Sequence, residues 1–258
     1  MQIAYTPEQE ALRHELRSYF AELMTPEVLA EVAVGETGGP ACLAAVRKMG
    51  ADGWLGLGWP TEYGGQGRGE VEQFIFFDEA WRSQAPIPFL SINTVGRTIM
   101  EFGTEAQKTY FLPRILAGEL HFSIGYTEPS AGTDLASLRT TAVRDGDEWV
   151  INGQKIYTSL ASYADYIWLA ARTDPDVSKH AGITIFAVPS SPTSSAAYSG
   201  YCTRTRSTQG AARSQVSREQ SVTRALSRCQ EVTSPLRLPT RNPTTGHPTR
   251  IVPISTTA

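Results

Sequence analysis

Two stretches in the second half of the chain carry side chains suited to holding a large, anionic, ring-bearing ligand. The first, Gly125-Tyr126-Thr127-Glu128-Pro129-Ser130-Ala131-Gly132-Thr133-Asp134, reads as a compact turn. Thr127 and Thr133 offer hydroxyls, Gly132 lets backbone N–H groups come close to a ligand, and such a turn presents those groups to an anion such as a diphosphate. The second stretch, 149–159, ends in Tyr157-Thr158-Ser159: a flat aromatic face with hydroxyls at its edge, which suits a planar heteroaromatic ring. Each has an ordinary explanation when taken singly. Turns rich in Gly, Ser and Thr are mostly plain loops, and Asn152-Gly153 is a common type I′ hairpin signal. The pair, in this order and at this separation, points to a dinucleotide site without the glycine fingerprint of doubly wound folds.

The elements that must position these residues follow from periodicity. Thr6-Pro7-Glu8-Gln9 opens a helix, with Thr6 as cap and Gln9 at the reciprocal capping position, and Leu12, Leu16, Tyr19, Phe20 and Leu23 give it one apolar face. His14 lies off that face and reads as an exposed helix residue. Further helices are predicted over 43–49, 70–83, about 92–102 and 104–118, the last opened by Thr104-Glu105-Ala106-Gln107. Between them, the glycine-rich stretch 53–69 carries Trp54, Trp59 and Tyr63, and reads as a tight loop stapled by aromatics. Asp78 and Glu79 are adjacent on a helix, so they point about 100° apart and read as surface or capping charges, not as a proton-sharing pair.

From Leu120 the period shortens. Phe122, Ile124 and Tyr126 alternate, 140–144 and 148–151 flank the Asp145-Gly146 turn, and 165–171 and 182–188 read as two more strands. The class is therefore α+β: a helical amino-terminal domain over 1–119, then an incomplete antiparallel β domain over 120–189.

Composition bounds the partners. The 258 residues carry a formal charge of −3, yet 1–189 hold 14 Lys+Arg against 24 Asp+Glu, while 190–258 hold nine Arg against two Glu. That last segment has 24 Ser and Thr and six Pro, with no Lys, Asp, Phe, Trp or Met, so it cannot offset the entropy of ordering and reads as a disordered tail. The abrupt change of composition looks like translation out of frame. The tail lacks the aromatic interleaving of a nucleic-acid binder, and no nucleic acid is expected as partner. Cys42, Cys202 and Cys229 are odd in number and widely spaced, which implies neither a disulfide framework nor a metal site. No run reaches the length of a membrane span, and Glu8, Glu10 and Glu15 stand where a signal peptide is basic; a cytoplasmic location is expected.

With these residues in view, the sequence resembles the acyl-CoA dehydrogenase family, whose middle domain carries a T-E-P-x-A-G-S/T-D turn followed by W-x-I-N-G-x-K-x-aromatic. Two further runs are similar to family patterns: Pro60-Thr61-Glu62-Tyr63-Gly64-Gly65-Gln66-Gly67, and 103–108 with Leu112-Pro113 and Gly118-Glu119. The resemblance covers 5–189. It implies FAD as cofactor, an acyl-CoA thioester as substrate oxidised between its α and β carbons, an electron-transferring flavoprotein as acceptor, and homologous subunits in a homo- or hetero-oligomer. By the same resemblance, Tyr126 and Thr127 line the flavin ring, Gly132 and Thr133 face the FAD diphosphate, Thr133 also lies near the CoA moiety, Tyr157 stands against the isoalloxazine, and Ser159 bonds the ring. The family's base is a glutamate of a carboxy-terminal helical bundle to which nothing here corresponds. Glu219 and Glu231 sit in the anomalous tail without an apolar helical face, and no catalytic residue is named. A non-catalytic partner subunit, an inactive truncation product, and a lone CoA- or nucleotide-binding module remain alternative readings.

Overall fold

The first helix begins as its sequence dictates. The Thr6 hydroxyl accepts from the Gln9 backbone N–H at 3.3 Å and the Gln9 side-chain oxygen accepts from the Thr6 N–H at 3.0 Å, with Pro7 in the first turn. This helix, α1 (Pro7–Leu23), buries Leu12, Leu16, Phe20 and Leu23 as its period requires, and leaves His14 exposed. The computed structural model describes residues 4–35, 37–146, 148–190, 236–238 and 253–254, and divides the chain into two compact units, Met1–Phe122 and Ser123–Ala258.

In the first unit α1 is followed by α2 (Pro26–Ala33), α3 (Pro40–Ala51), α4 (Glu70–Arg82), α5 (Arg97–Phe102) and α6 (Glu105–Leu116). The Thr104–Gln107 capping box at α6 forms as expected. The helix expected from about residue 92 is two pieces, a π-helical turn over Leu90–Gly96 that runs into α5. In the glycine-rich loop between α3 and α4 the aromatics do act as staples. Trp59 is completely buried, its indole N–H donates to the Ile92 carbonyl at 3.2 Å, and its own carbonyl accepts from Gly67 N–H at 2.8 Å. α4 packs against α1, with the Phe76 ring beside Phe20 and Glu79 bonded to Arg13 and Arg17, while Phe77 packs on Phe89 and Val71, Phe74 and Trp81 stay exposed.

One expectation for this unit is corrected. Asp78 is a surface charge, accepting from Arg82 at 2.8 Å, but Glu79 is buried at 1% exposure and takes Arg13 Nε and Arg17 Nη2, each at 2.8 Å. Adjacency on a helix does separate the two carboxylates, and it is the separation that turns Glu79 inward, toward two arginines of α1. Burial favours the neutral acid, yet the Arg17 and Arg13 bonds prevail and hold Glu79 below its usual 4.5. A group depressed in the fold stabilises it fully above the unfolded pKa and loses that contribution as pH falls through the folded value. The expected result is a stability gap between the parent and Glu79→Gln in urea unfolding that is constant from pH 8 to about 5 and closes below about 4; a gap unchanged at acid pH would contradict the assignment.

The second unit is a sheet with strands β1 (Phe122–Gly125), β2 (Thr141–Asp145), β3 (Glu148–Asn152), β4 (Tyr166–Arg172) and β5 (Ile183–Pro189). β2 pairs antiparallel with β3 around Asp145-Gly146, and β4 pairs antiparallel with β5 over seven residue pairs. The antiparallel expectation needs one amendment: β2 and β4 run parallel at Thr141–Arg172, so the sheet is mixed. β4 lies inside the sheet, with β2, β5 and β1 as neighbours, and Ile167–Ala171 are buried on both faces. One face gathers Ile151, Ala161, Ile167, Leu169, Phe186 and Val188; the other gathers Ala170 with Ala131 and Leu138. The expected disorder of the tail lies outside the described residues except for two short strands, β6 (Leu236–Leu238) on β3 and β7 (Pro253–Ile254) on β5.

Candidate functional site

The turn after β1 is closed by its own backbone. Glu128 N–H donates to the Ala131 carbonyl at 2.8 Å and Ala131 N–H returns to Glu128 at 3.2 Å. Ala131 and Leu138 then seat the turn on Ala170 of β4, with Tyr126, Leu135, Ile183 and Ile185 packed round them. The far end is held by Asp134, which accepts from Lys179 Nζ at 2.8 and 3.0 Å and from Ser137 Oγ at 2.6 Å; Lys179 is the first cause of its lowered pKa.

After Asn152 the chain does not turn back as a hairpin. Residues 153–158 form an irregular exit from β3, which corrects the Asn152-Gly153 reading; the hairpin turn of this region is Asp145-Gly146. The exit runs alongside the first turn, because Ile156 N–H donates to the Thr127 carbonyl at 2.9 Å. Ser123 Oγ donates to the Ser159 carbonyl at 2.6 Å, and so fixes the other end of the exit to β1. The two candidate stretches thus lie side by side, joined by main-chain geometry.

Of the six site residues, Tyr126 and Thr127 are half-buried, and Gly132, Thr133, Tyr157 and Ser159 are exposed. Burial pushes the Tyr126 phenol up, against a hydrogen bond from Trp168. Tyr157 is 66% exposed and has φ +57°, a left-handed conformation that disfavours a bulky residue. Such strain on an exposed aromatic fits a ring held out for a ligand. Gly132 has no positive φ, and no atom lies within 4 Å of where its Cβ would be, so neither backbone nor packing calls for glycine there. Thr158 Oγ1 is buried with no hydrogen-bond partner among the described residues. Hydroxyl donors, an open glycine and a free aromatic face fit a flavin dinucleotide.

Two family descriptions match the chain: "Acyl-CoA dehydrogenase, N-terminal domain" over residues 6–119 and "Acyl-CoA dehydrogenase, middle domain" over 123–217. The chain belongs to the acyl-CoA dehydrogenase family. It is 62% identical over 196 residues to acyl-CoA dehydrogenase FadE26 of Mycobacterium tuberculosis, a match that takes in 73% of this chain and 49% of that protein. Among solved structures it is similar to a chain of the ChsE4–ChsE5 complex from Mycobacterium tuberculosis (61% identity, TM-score 0.68, covering 73% of this chain and 48% of that one). It is also similar to a chain of the Tcur3481–Tcur3483 steroid ACAD (55% identity, TM-score 0.69, covering 73% and 49%). The chain spans about half the length of the curated relatives it matches.

Two further residues, Glu128 and Lys155, tie the two stretches of this acyl-CoA dehydrogenase family chain together and are not singled out by the sequence. Lys155 is 2% exposed; its ammonium donates to the Tyr126 carbonyl at 3.0 Å and to Glu128 Oε1 at 2.8 Å. Glu128, also buried, accepts in addition from Thr140 N–H at 2.9 Å and Arg139 N–H at 2.6 Å. Burial drives the Lys155 pKa down, with Glu128 opposing it. Burial also favours neutral Glu128, but Lys155 and the Thr140 and Arg139 donors outweigh that and keep its pKa low. Both residues belong to the quoted motifs, but their immediate neighbours in sequence give no sign that they are buried.

Proposed function

We propose that this chain carries the flavin-holding part of an FAD-dependent acyl-CoA dehydrogenase, which oxidises an acyl-CoA thioester between its α and β carbons and passes electrons to an electron-transferring flavoprotein. The observation that carries the reading is the Ile156–Thr127 main-chain bond, because it brings the anion-suited turn and the exposed aromatic into one site. Tyr126, Thr127, Tyr157 and Ser159 would line the ring, and Gly132 and Thr133 would face the diphosphate, with Thr133 also near the CoA moiety. Bound FAD supplies the hydride acceptor. This chain's residues hold and orient it, and Lys155 and Lys179 neutralise the two carboxylates of the anion-binding turn, Glu128 and Asp134.

Removal of the α-proton needs a free carboxylate. The two buried carboxylates among the described residues, Glu79 and Glu128, are each held by cations, so neither serves as base. By the family resemblance the base is a glutamate of the carboxy-terminal helical bundle, supplied by a segment that the longer relatives have or by a homologous subunit. The two-component names of the ChsE4–ChsE5 and Tcur3481–Tcur3483 relatives favour a hetero-oligomer, and the second name favours a steroid-bearing acyl-CoA. The same names support a second reading, in which this chain is the non-catalytic partner. No described helix is long and apolar enough to cross a membrane, and we place the protein in the cytoplasm.

The test is acyl-CoA-dependent reduction of a dye. The 258-residue chain is expected to show no turnover, since general-base catalysis typically contributes about 10²–10⁴-fold. The same chain joined to the carboxy-terminal half of FadE26 should turn over a steroid acyl-CoA. Turnover by the unextended chain, or none by the fusion with FAD bound and the homologous partner subunit present, would contradict the proposal.

A further inference from the structure

The site described above is closed by a buried ion pair to which the proposed reaction gives no role beyond charge neutralisation. Lys155 sits on the exit from β3 and Glu128 in the turn after β1, 27 positions away, and their 2.8 Å contact is almost wholly out of water. The pair does more than neutralise itself. Through Lys155 it fixes the Tyr126 carbonyl, and through Glu128 it fixes the N–H groups of Arg139 and Thr140, where the chain leaves the turn and enters β2. The Ile156 N–H to Thr127 carbonyl bond lies directly beside it in both segments. Three points of main chain are thereby set relative to one another by two side chains.

Resting on the flavin reading, we infer that Glu128 and Lys155 are positioning residues, a clamp that sets the spacing between the anion-binding turn and the strained Tyr157, so that ring and diphosphate groups are placed together. Stability alone does not require a pair here. A buried ion pair replaced on both sides by neutral side chains of similar size often costs little, whereas removing one partner strands a buried charge. The sheet beneath is held by its own apolar contacts, which include neither residue. A clamp and a stability element therefore predict different results when the pair is removed as a unit.

The experiment uses the full 258-residue chain and four variants: Glu128→Gln, Lys155→Met, the double Glu128→Gln/Lys155→Met, and Lys155→Arg, which keeps the charge and the donors. Thermal unfolding, amide hydrogen exchange and FAD titration are read on each. The single neutral variants should unfold at lower temperature, and the double should recover at least half of the larger loss. In the double, the amides of Glu128, Ala131 and Ile156 should exchange about tenfold faster or more, while those of Trp168 and Phe186 keep the parent rate. FAD affinity should fall by about tenfold, and Lys155→Arg should stay near the parent in both readouts. Parent exchange rates at the Glu128, Ala131 and Ile156 amides in the double would overturn the clamp. So would exchange that quickens equally across β4 and β5, or a double variant that does not fold. A parent chain that takes up no FAD counts against the flavin reading itself, and the exchange rates still decide whether the pair is a clamp.

Discussion

Replacing Trp59 by alanine is expected to destabilise the helical unit by about 3–5 kcal/mol, the range for truncating a large buried aromatic. For a unit of this size that corresponds to a fall of roughly 10–20 °C in its unfolding temperature. Trp59 is fully buried, and the loop closes round it: Gly65 and Gly96 lie so near it that a Cβ at either would meet its main chain or its indole ring. Truncation leaves a cavity that glycines cannot fill and strips the Ile92 carbonyl of its indole donor. Trp81→Ala is the control. Trp81 is 59% exposed, and its loss should move stability by no more than about 0.5 kcal/mol. Equal effects from the two substitutions, measured by calorimetry, would show that the loop is not organised on Trp59.

The second large effect concerns binding, not folding. Gly132→Val should leave the unfolding temperature almost unchanged, because its φ is not left-handed and its surroundings are open. Flavin affinity should nevertheless drop by roughly 100-fold, about 2.7 kcal/mol. On the proposed reading, a branched side chain there would stand where the diphosphate comes close to backbone N–H groups. A hydrogen bond to a charged group contributes about 1.5–3 kcal/mol, so losing even one accounts for the drop. Isothermal titration with FAD separates the cases: an unaltered affinity would remove Gly132 from the site.

How much of this was readable in advance depends on whether the signal was local. Caps, apolar stripes and the Asp145-Gly146 hairpin depend on residues within a few positions of one another, and they appear where the sequence places them. The turn and the aromatic exit were also legible, each as a short motif. The Asn152-Gly153 hairpin was misread because the same dipeptide serves a strand that leaves the sheet, and only the partner of Ile156, in a turn 29 positions earlier, distinguishes the cases. The inward turn of Glu79 is likewise decided by Arg13 and Arg17 on another helix. Lys155 is the clearest instance. A lone lysine after Asn-Gly-Gln reads as a solvated loop charge until its distant acceptors, Glu128 and the Tyr126 carbonyl, are known. The parallel contact of β2 with β4 has no signal in the strands themselves, since it depends on where the segment between them returns.

The central claim is that this chain holds a flavin between the turn at 125–134 and the exit at 153–159. It is tested most directly by the cofactor content of the chain joined to the carboxy-terminal half of FadE26, purified without added flavin and then denatured in acid. The account predicts a yellow protein that releases one FAD per chain, and a colourless one when Gly132→Val is present. A parent fusion that folds, purifies colourless and takes up no FAD on titration would contradict it.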